Sequence, residues 1–223
     1  MADGLQALTR MWLDEDVFII GGGPSLKKFN ISLLQNRRVI GCNDAYQIPM
    51  TPPMVHFGDR KWYAKHESKL TRYKGILTTS LPDFEKHPTI YHFPRIEHGF
   101  WRTALGWNGN TGASAINLAL LLGASRVFLL GFDMQVDEKN GESNWHPNPL
   151  TSPTNEIHYA RYLSSMERCA EDAKNGWPDV EIWNLNPCSA MTCFSREKWG
   201  FFFTDDDDSE LEMEVGDDGR NSC

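Results

Sequence analysis

With 223 residues, 40% of them hydrophobic and 12% aromatic, the chain is long enough for one domain with a substantial core and short for two. Its net charge of −8 is local: residues 204–223 hold nine acidic residues and one arginine, leaving 1–203 balanced at 21 of each sign. A neutral body lacks the clustered Lys and Arg of a dedicated nucleic-acid surface, and no stretch approaches the 18 apolar residues of a membrane span.

Residues 1–15 read as an N-terminal extension without the basic start and apolar run of a signal peptide, so a cytoplasmic location is expected. The first strand is Val17–Ile20, and it runs into the turn Gly21-Gly22-Gly23-Pro24-Ser25. Further β-branched and aromatic runs predict strands at Arg38–Cys42, Met54–Phe57, Ile76–Thr79, Ile90–Phe93, Val127–Leu130 and Val180–Trp183. Many are apolar at consecutive positions, the pattern of a parallel sheet covered on both faces. Gly112–Leu122, rich in Ala and Leu, predicts a helix, with Asn110 and Thr111 as candidate N-terminal caps and Gly123 as its stop. Residues 137–155 form the longest irregular stretch before the tail, expected to be an active-site lid. Glu156–Lys174 carries a helical apolar stripe. The alternation of strands and helices predicts an α/β fold with a doubly wound, mostly parallel sheet in a single domain, 16–203. Residues 204–223 read as a disordered acidic tail. The five cysteines contain no CxxC pair and read as reduced thiols; no metal-ligand spacing appears, so no metal site is expected.

Ligands of doubly wound sheets bind at the carboxyl ends of the strands. The glycine turn is the first such end. A dinucleotide fingerprint needs a third glycine where Leu26 stands, although Asp44 lies where a ribose-binding acid would fall and keeps that reading open. No GK[ST] follows, so a P-loop is excluded. The turn suits close backbone approach to a ligand, with Pro24 starting a helix and the Ser25 hydroxyl free for a phosphate or ribose. Asn43-Asp44 follows the second strand, Gly58-Asp59 the third, and Gly131-Phe132-Asp133 the sixth. Asn110-Thr111-Gly112 opens the Ala-rich helix, where amides and the helix dipole favour an anion. Among the histidines, His146 in the lid is the expected base for an acceptor hydroxyl, with Asp133 and Glu156 as further acid–base candidates. Trp101, Trp107 and Trp145 could stack on a sugar or base, or pack in the core. His56, His66, His87, His92 and His98 are read as structural or surface residues, and His158 opens the helix that follows the lid.

The order IIGGGPSLKKF, VIGCNDAY, FGDRKWY, NTGASAINLALLLGASRVFLLGFDM and VEIWNLNPCSAM resembles the bacterial CMP-sialic-acid-dependent sialyltransferases. It also resembles their relatives, the flagellin-modifying motility accessory factors, the archaeal 6-hydroxymethylpterin diphosphokinases and small phage-type proteins. The resemblance spans about residues 16–195 and implies a Rossmann-like domain that binds a cytidine nucleotide without a metal. It implies that Gly21, Gly22 and Gly23 match the turn at the nucleotide phosphate and that Asn43 and Asp59 match nucleotide contacts. Thr111 and Gly112 then match the step before the central helix, and Gly131 and Asp133 the Gly-x-Asp after the next strand. The family uses a lid histidine as base and tyrosines near the Gly-x-Asp strand; here Gln135 stands where one tyrosine would be, and His146 lies several residues early. The function so implied is transfer of a sugar from a nucleotide-sugar donor, CMP-linked by preference, to an acceptor hydroxyl, with no cofactor. Two alternatives stay open: a Mg²⁺-dependent diphosphokinase acting on a small hydroxymethyl compound, and a nucleotide-binding module without turnover. The sequence leaves the acceptor and a homo-oligomeric state open.

Overall fold

The computed structural model describes residues 3–147 and 156–203; the expected acidic tail and the second half of the lid lie outside the described residues. In chain order the strands are β1 (Asp16–Ile20), β2 (Arg38–Cys42), β3 (Met54–Phe57), β4 (Ile76–Thr79), β5 (Ile90–His92), β6 (Arg95–Ile96), β7 (Leu105–Gly106), β8 (Arg126–Leu130), β9 (Glu181–Asn184) and β10 (Ser195–Arg196). The helices are α1 (Gly4–Leu8), α2 (Arg60–Leu70), α3 (Thr111–Leu122) and α4 (Glu156–Gly176). Eight strands form one sheet in the order β10-β9-β8-β1-β2-β3-β4-β5, and β6 and β7 form a separate pair. Every pairing is parallel. The fold is therefore the expected α/β doubly wound sheet.

The central strands β1 and β8 are buried on both faces because Val17–Ile20 and Val127–Leu130 are apolar at consecutive positions. Val17, Ile19, Ile40, Val127 and Leu129 face one cluster, which contains α3 and part of α4. Phe18, Ile20, Val39, Phe128 and Leu130 face the other, closed by the short 3₁₀ segments at 24–28, 31–34 and 43–47 and by Phe203. Helix α3 is buried from Gly112 to Leu122, with Asn110 as its N-cap and Gly123, at φ +94°, as its stop. Its helical span and caps are those expected, and its burial on all sides follows from its all-round apolar composition.

Two elements depart from the sequence reading. The stretch at 1–15 carries α1, and its Leu8 and Trp12 are buried in the main core. The N–H groups of Arg10 and Trp12 donate to Leu121 and Leu122 at the end of α3 (2.9 and 2.8 Å), so this stretch packs on the domain. Helix α2 was hidden because its buried stripe is only Trp62, His66 and Leu70, with a histidine in the middle. Cys42, Cys169 and Cys193 are free thiols as expected, whereas Cys188 is in a disulfide. Among the described residues no helix is long and apolar enough to cross a membrane.

The strand order sets the position of the site. From β1 the chain winds outward through β2–β5, then returns to β8 on the opposite side of β1. The order reverses between β1 and β8, the position at which a doubly wound sheet forms its ligand crevice, outside the carboxyl ends of the strands. The glycine turn follows β1, and Gly131-Phe132-Asp133 follows β8.

Candidate active site

The glycines of the turn serve first to pack two chain segments together. Gly21 N–H donates to Leu130 O and Gly23 N–H to Gly131 O, both at 2.8 Å. A Cβ on Gly21 would lie 2.7 Å from Gly131 O, and one on Gly23 would lie 1.8 Å from Asp133 Oδ2. Gly131 itself sits at φ +69°, a region that favours glycine. The turn then enters the 3₁₀ segment Pro24–Lys28, with Gly23 as N-cap and buried Pro24 at its first position. This short segment replaces the α-helix that Pro24 was expected to start.

Asp133 knots the turn. It accepts from Ser25 N–H at 3.1 Å, Ser25 Oγ at 2.8 Å and Asn186 Nδ2 at 3.1 Å. The residue is buried, and desolvation holds its pKa above the ordinary carboxylate range, although the Ser25 bonds pull the other way. The Ser25 hydroxyl is thus committed to Asp133, where it was expected to be free for a phosphate. Asp133, expected as a catalytic group, has both oxygens occupied and acts here by positioning the turn.

Three further residues expected at the ligand carry structural bonds. Asp59 caps α2 through Trp62 N–H (2.9 Å), and Asn110 caps α3 through Gly112 N–H (2.7 Å). Asp44 accepts from Trp62 Nε1 at 2.9 Å and Gln47 Nε2 at 2.7 Å, with His66 Nε2 3.8 Å away. It is turned toward α2 and is engaged there. His66 in turn pairs through Nδ1 with the Tyr46 hydroxyl at 2.7 Å, and burial lowers its pKa. Gly112 brings the α3 backbone close to Phe132, whose ring would lie 2.8 Å from an added Cβ.

Asn43 differs from all of these. It sits at φ +49° at the end of β2, and its Nδ2 reaches Thr111 Oγ1 at 3.5 Å. Its Oδ1 is buried and has no partner among the described residues. A buried amide oxygen left unpaired costs about 1–3 kcal/mol, and a donor arriving from a ligand would remove that penalty. Asn43 and Thr111 are therefore the expected binding residues that the fold brings together with a polar atom to spare.

The lid closes on the glycine turn from the other side. Trp145 N–H donates to Gly22 O at 2.9 Å and its Nε1–H to Gly21 O at 3.0 Å. Lys27 and Glu142 form an ion pair, and the Tyr159 hydroxyl donates to Ser143 O at 3.2 Å. Burial pushes the Tyr159 phenol up to about 12, so it remains a donor. These contacts place His146 over Gly22, with Nε2 4.0 Å from where a Cβ would stand. His146 Nδ1 lies 3.1 Å from Pro147 O. A carbonyl can only accept, so in the neutral ring Nδ1 carries the hydrogen and Nε2 keeps its lone pair. Trp145 was expected to stack on a ligand or pack, and nothing in the sequence signals its two bonds to the turn. Asn186 and Tyr159 were missed for the same reason. Among the described residues no group of three or more His, Cys, Asp or Glu is placed to hold a metal ion.

Solved structures share this fold. The sialyltransferase CstII from Campylobacter jejuni, in complex with the substrate analogue cytidine-5'-monophosphate, superposes with a TM-score of 0.51 at 16% identity, covering 83% of this chain and 85% of that one. The two proteins share a fold. A second structure of Cst-II, in complex with a trisaccharide acceptor and CMP, gives a TM-score of 0.52 at 17% identity over 82% of this chain and 86% of that chain. The MAf glycosyltransferase from Magnetospirillum magneticum AMB-1 gives 0.54 at 16% identity, over 90% of this chain and 37% of the longer one. At these identities the likeness is one of fold. No family model and no curated protein matches the sequence.

Proposed function

We propose that the protein is a glycosyltransferase that binds a CMP-linked sugar at the crevice beside β1 and passes the sugar to an acceptor hydroxyl, with no metal. The observation that carries this reading is the buried, unpartnered Oδ1 of Asn43, set beside Thr111 at the carboxyl edge of the sheet. It calls for a hydrogen-bond donor, which a ribose hydroxyl or the cytosine amino group supplies. The sialyltransferase-like fold supports it, since the solved CstII structures hold CMP and, in one, a trisaccharide acceptor.

In this reading His146 Nε2 takes the proton of the acceptor hydroxyl. The acceptor oxygen bonds to the anomeric carbon as the carbon–phosphate oxygen bond breaks, CMP leaves with the electron pair, and the anomeric centre inverts. Trp145 and Tyr159 hold the lid segment that carries the base. Asp133 holds the glycine turn that the base faces.

The test is turnover of CMP-sialic acid with a panel of oligosaccharide acceptors, read as CMP release and product mass. His146→Ala is expected to lower kcat by about 10²–10⁴-fold while leaving CMP affinity within about twofold. Unchanged turnover in the variant overturns the role of His146, and no turnover by the wild-type protein overturns glycosyl transfer from this donor. Turnover is expected to persist in a chelator; loss of it favours the Mg²⁺-dependent alternative.

A further inference from the structure

Helix α2 and the 3₁₀ segment Asn43–Gln47 are tied together at three points. Asp44 accepts from Trp62 Nε1 at 2.9 Å, the Tyr46 hydroxyl meets His66 Nδ1 at 2.7 Å, and Lys69 Nζ donates to Gln47 Oε1 at 3.4 Å. Trp62, His66 and Lys69 are spaced to share one face of the helix. The His66 ring stacks on Trp62, with centroids 4.8 Å apart at 16°, and its Nε2 stands 3.8 Å from Asp44 Oδ1. Asn43 opens the same 3₁₀ segment, next to Asp44, and its φ of +49° strains a residue with a Cβ. Such a backbone persists where its surroundings over-determine it. The three ties to α2 supply that constraint.

The Tyr46 phenol fixes the state of His66. Burial, with the Asp44 charge beside it, pushes the phenol up to about 12, so it stays a donor. His66 Nδ1 therefore accepts, and the hydrogen of the neutral ring sits on Nε2, toward Asp44. Protonation places a hydrogen on Nδ1, removes the acceptor that holds Tyr46 and draws Nε2 to Asp44 in competition with Trp62. The charged groups around the ring pull both ways: Asp44 on the 3₁₀ segment favours the cation, whereas Lys65 and Lys69 on α2 and His146 on the lid oppose it. Burial is the largest influence and holds the ring below the ordinary histidine value of 6.5. His66 is thus neutral at neutral pH and gives up that state only on acidification.

We infer that His66, through Tyr46 and Asp44, is a positioning residue for the nucleotide: while neutral, it holds Asn43 in its ligand-binding geometry. This rests on the reading of Asn43 as a nucleotide contact and adds what controls that contact. CMP titration of the wild type, Tyr46→Phe and His66→Asn tests it. At about pH 7.5, Tyr46→Phe removes only the hydroxyl and is expected to bind CMP about three- to tenfold more weakly. His66→Asn keeps an acceptor for Tyr46 and does not titrate, so its affinity is expected within about twofold of wild type. Between about pH 7.5 and about pH 4.5 the wild type is expected to lose about threefold or more in affinity relative to His66→Asn. Comparing the two proteins at each pH cancels the titration of the CMP phosphate and of His146, which they share. If Tyr46→Phe binds CMP as the wild type does and loses only thermal stability, the network is structural and the inference is overturned. A ratio of the two affinities that stays constant with pH overturns the need for a neutral ring. If Asn43→Gly weakens CMP binding and Tyr46→Phe does not, the nucleotide reading stands and this inference alone falls. If the wild type binds no CMP, both fall.

Discussion

The two walls of the crevice are built on opposite principles. On the β1–β8 wall, the turn Gly21–Ser25 makes its polar contacts within the protein: to Leu130, Gly131, Asp133 and Trp145. On the β2–β3 wall, Asn43 Oδ1 has no partner among the described residues, and the Arg95 guanidinium stacks on the Trp107 ring and meets an exposed carboxylate, Glu97, at Nε. The closed wall is scaffold, and the lid segment docked to it carries His146, the base in the proposed reading. The open wall has unmet hydrogen-bonding capacity and is where a ligand gains most. A glycine-rich turn after a first strand is usually read as a phosphate cradle. Here Gly21 and Gly23 are required by the neighbouring chain, and Gly22 is the position that faces the lid.

This contrast is broken most sharply by two alanines one residue apart. Gly23→Ala drives a methyl group into Asp133 Oδ2 and is expected to cost on the order of 3 kcal/mol in urea unfolding. Gly22→Ala meets the Asn144 side-chain oxygen at 2.9 Å, which can shift with the lid, and is expected to cost about 1 kcal/mol or less. Equal losses at the two positions would remove the distinction between a packed and a lid-facing glycine.

The open wall has a scaffold of its own in His56, which is fully buried. Thr78 Oγ1 donates to Val55 O (3.2 Å), so it accepts from His56 Nδ1–H at 3.1 Å, and Ser114 of α3 donates to Nε2 at 3.0 Å. Burial lowers the His56 pKa to about 3. Between pH 6.5 and that value the unfolded chain takes up a proton that the folded chain refuses, so stability falls as pH falls through this window. The slope is about 1.4 kcal/mol per pH unit for one such group. Urea unfolding from pH 7 to 4 is expected to show a steeper acid loss in the wild type than in His56→Gln. Parallel curves would contradict the neutral relay.

Much of this architecture was legible in the sequence. The seven principal strands and α3 followed from consecutive apolar residues and from the Asn110 and Gly123 caps. Helix α2 did not, because a histidine interrupts its stripe. At the site, Asn43 at a strand end, Thr111 at a helix start and His146 in the lid were singled out in the sequence for roles that the CMP titrations and turnover assays test. Asp44, Asp59, Asn110 and Ser25 were read as ligand contacts because an Asx or Ser residue after a strand looks the same whether it caps a helix or awaits a substrate. Which role holds depends on partners distant in sequence: Ser25 is 108 residues from Asp133, and Trp145 is 124 from Gly21. No local pattern encodes those pairings.

The central claim is that the open wall, through Asn43, holds the nucleotide. Asn43→Gly tests it most directly, because glycine keeps the φ +49° backbone and removes only the amide. Titration of CMP into both proteins is expected to show binding to the wild type and at least about tenfold weaker binding to the variant, with thermal unfolding little changed. CMP binding of equal strength in the two proteins would contradict the claim.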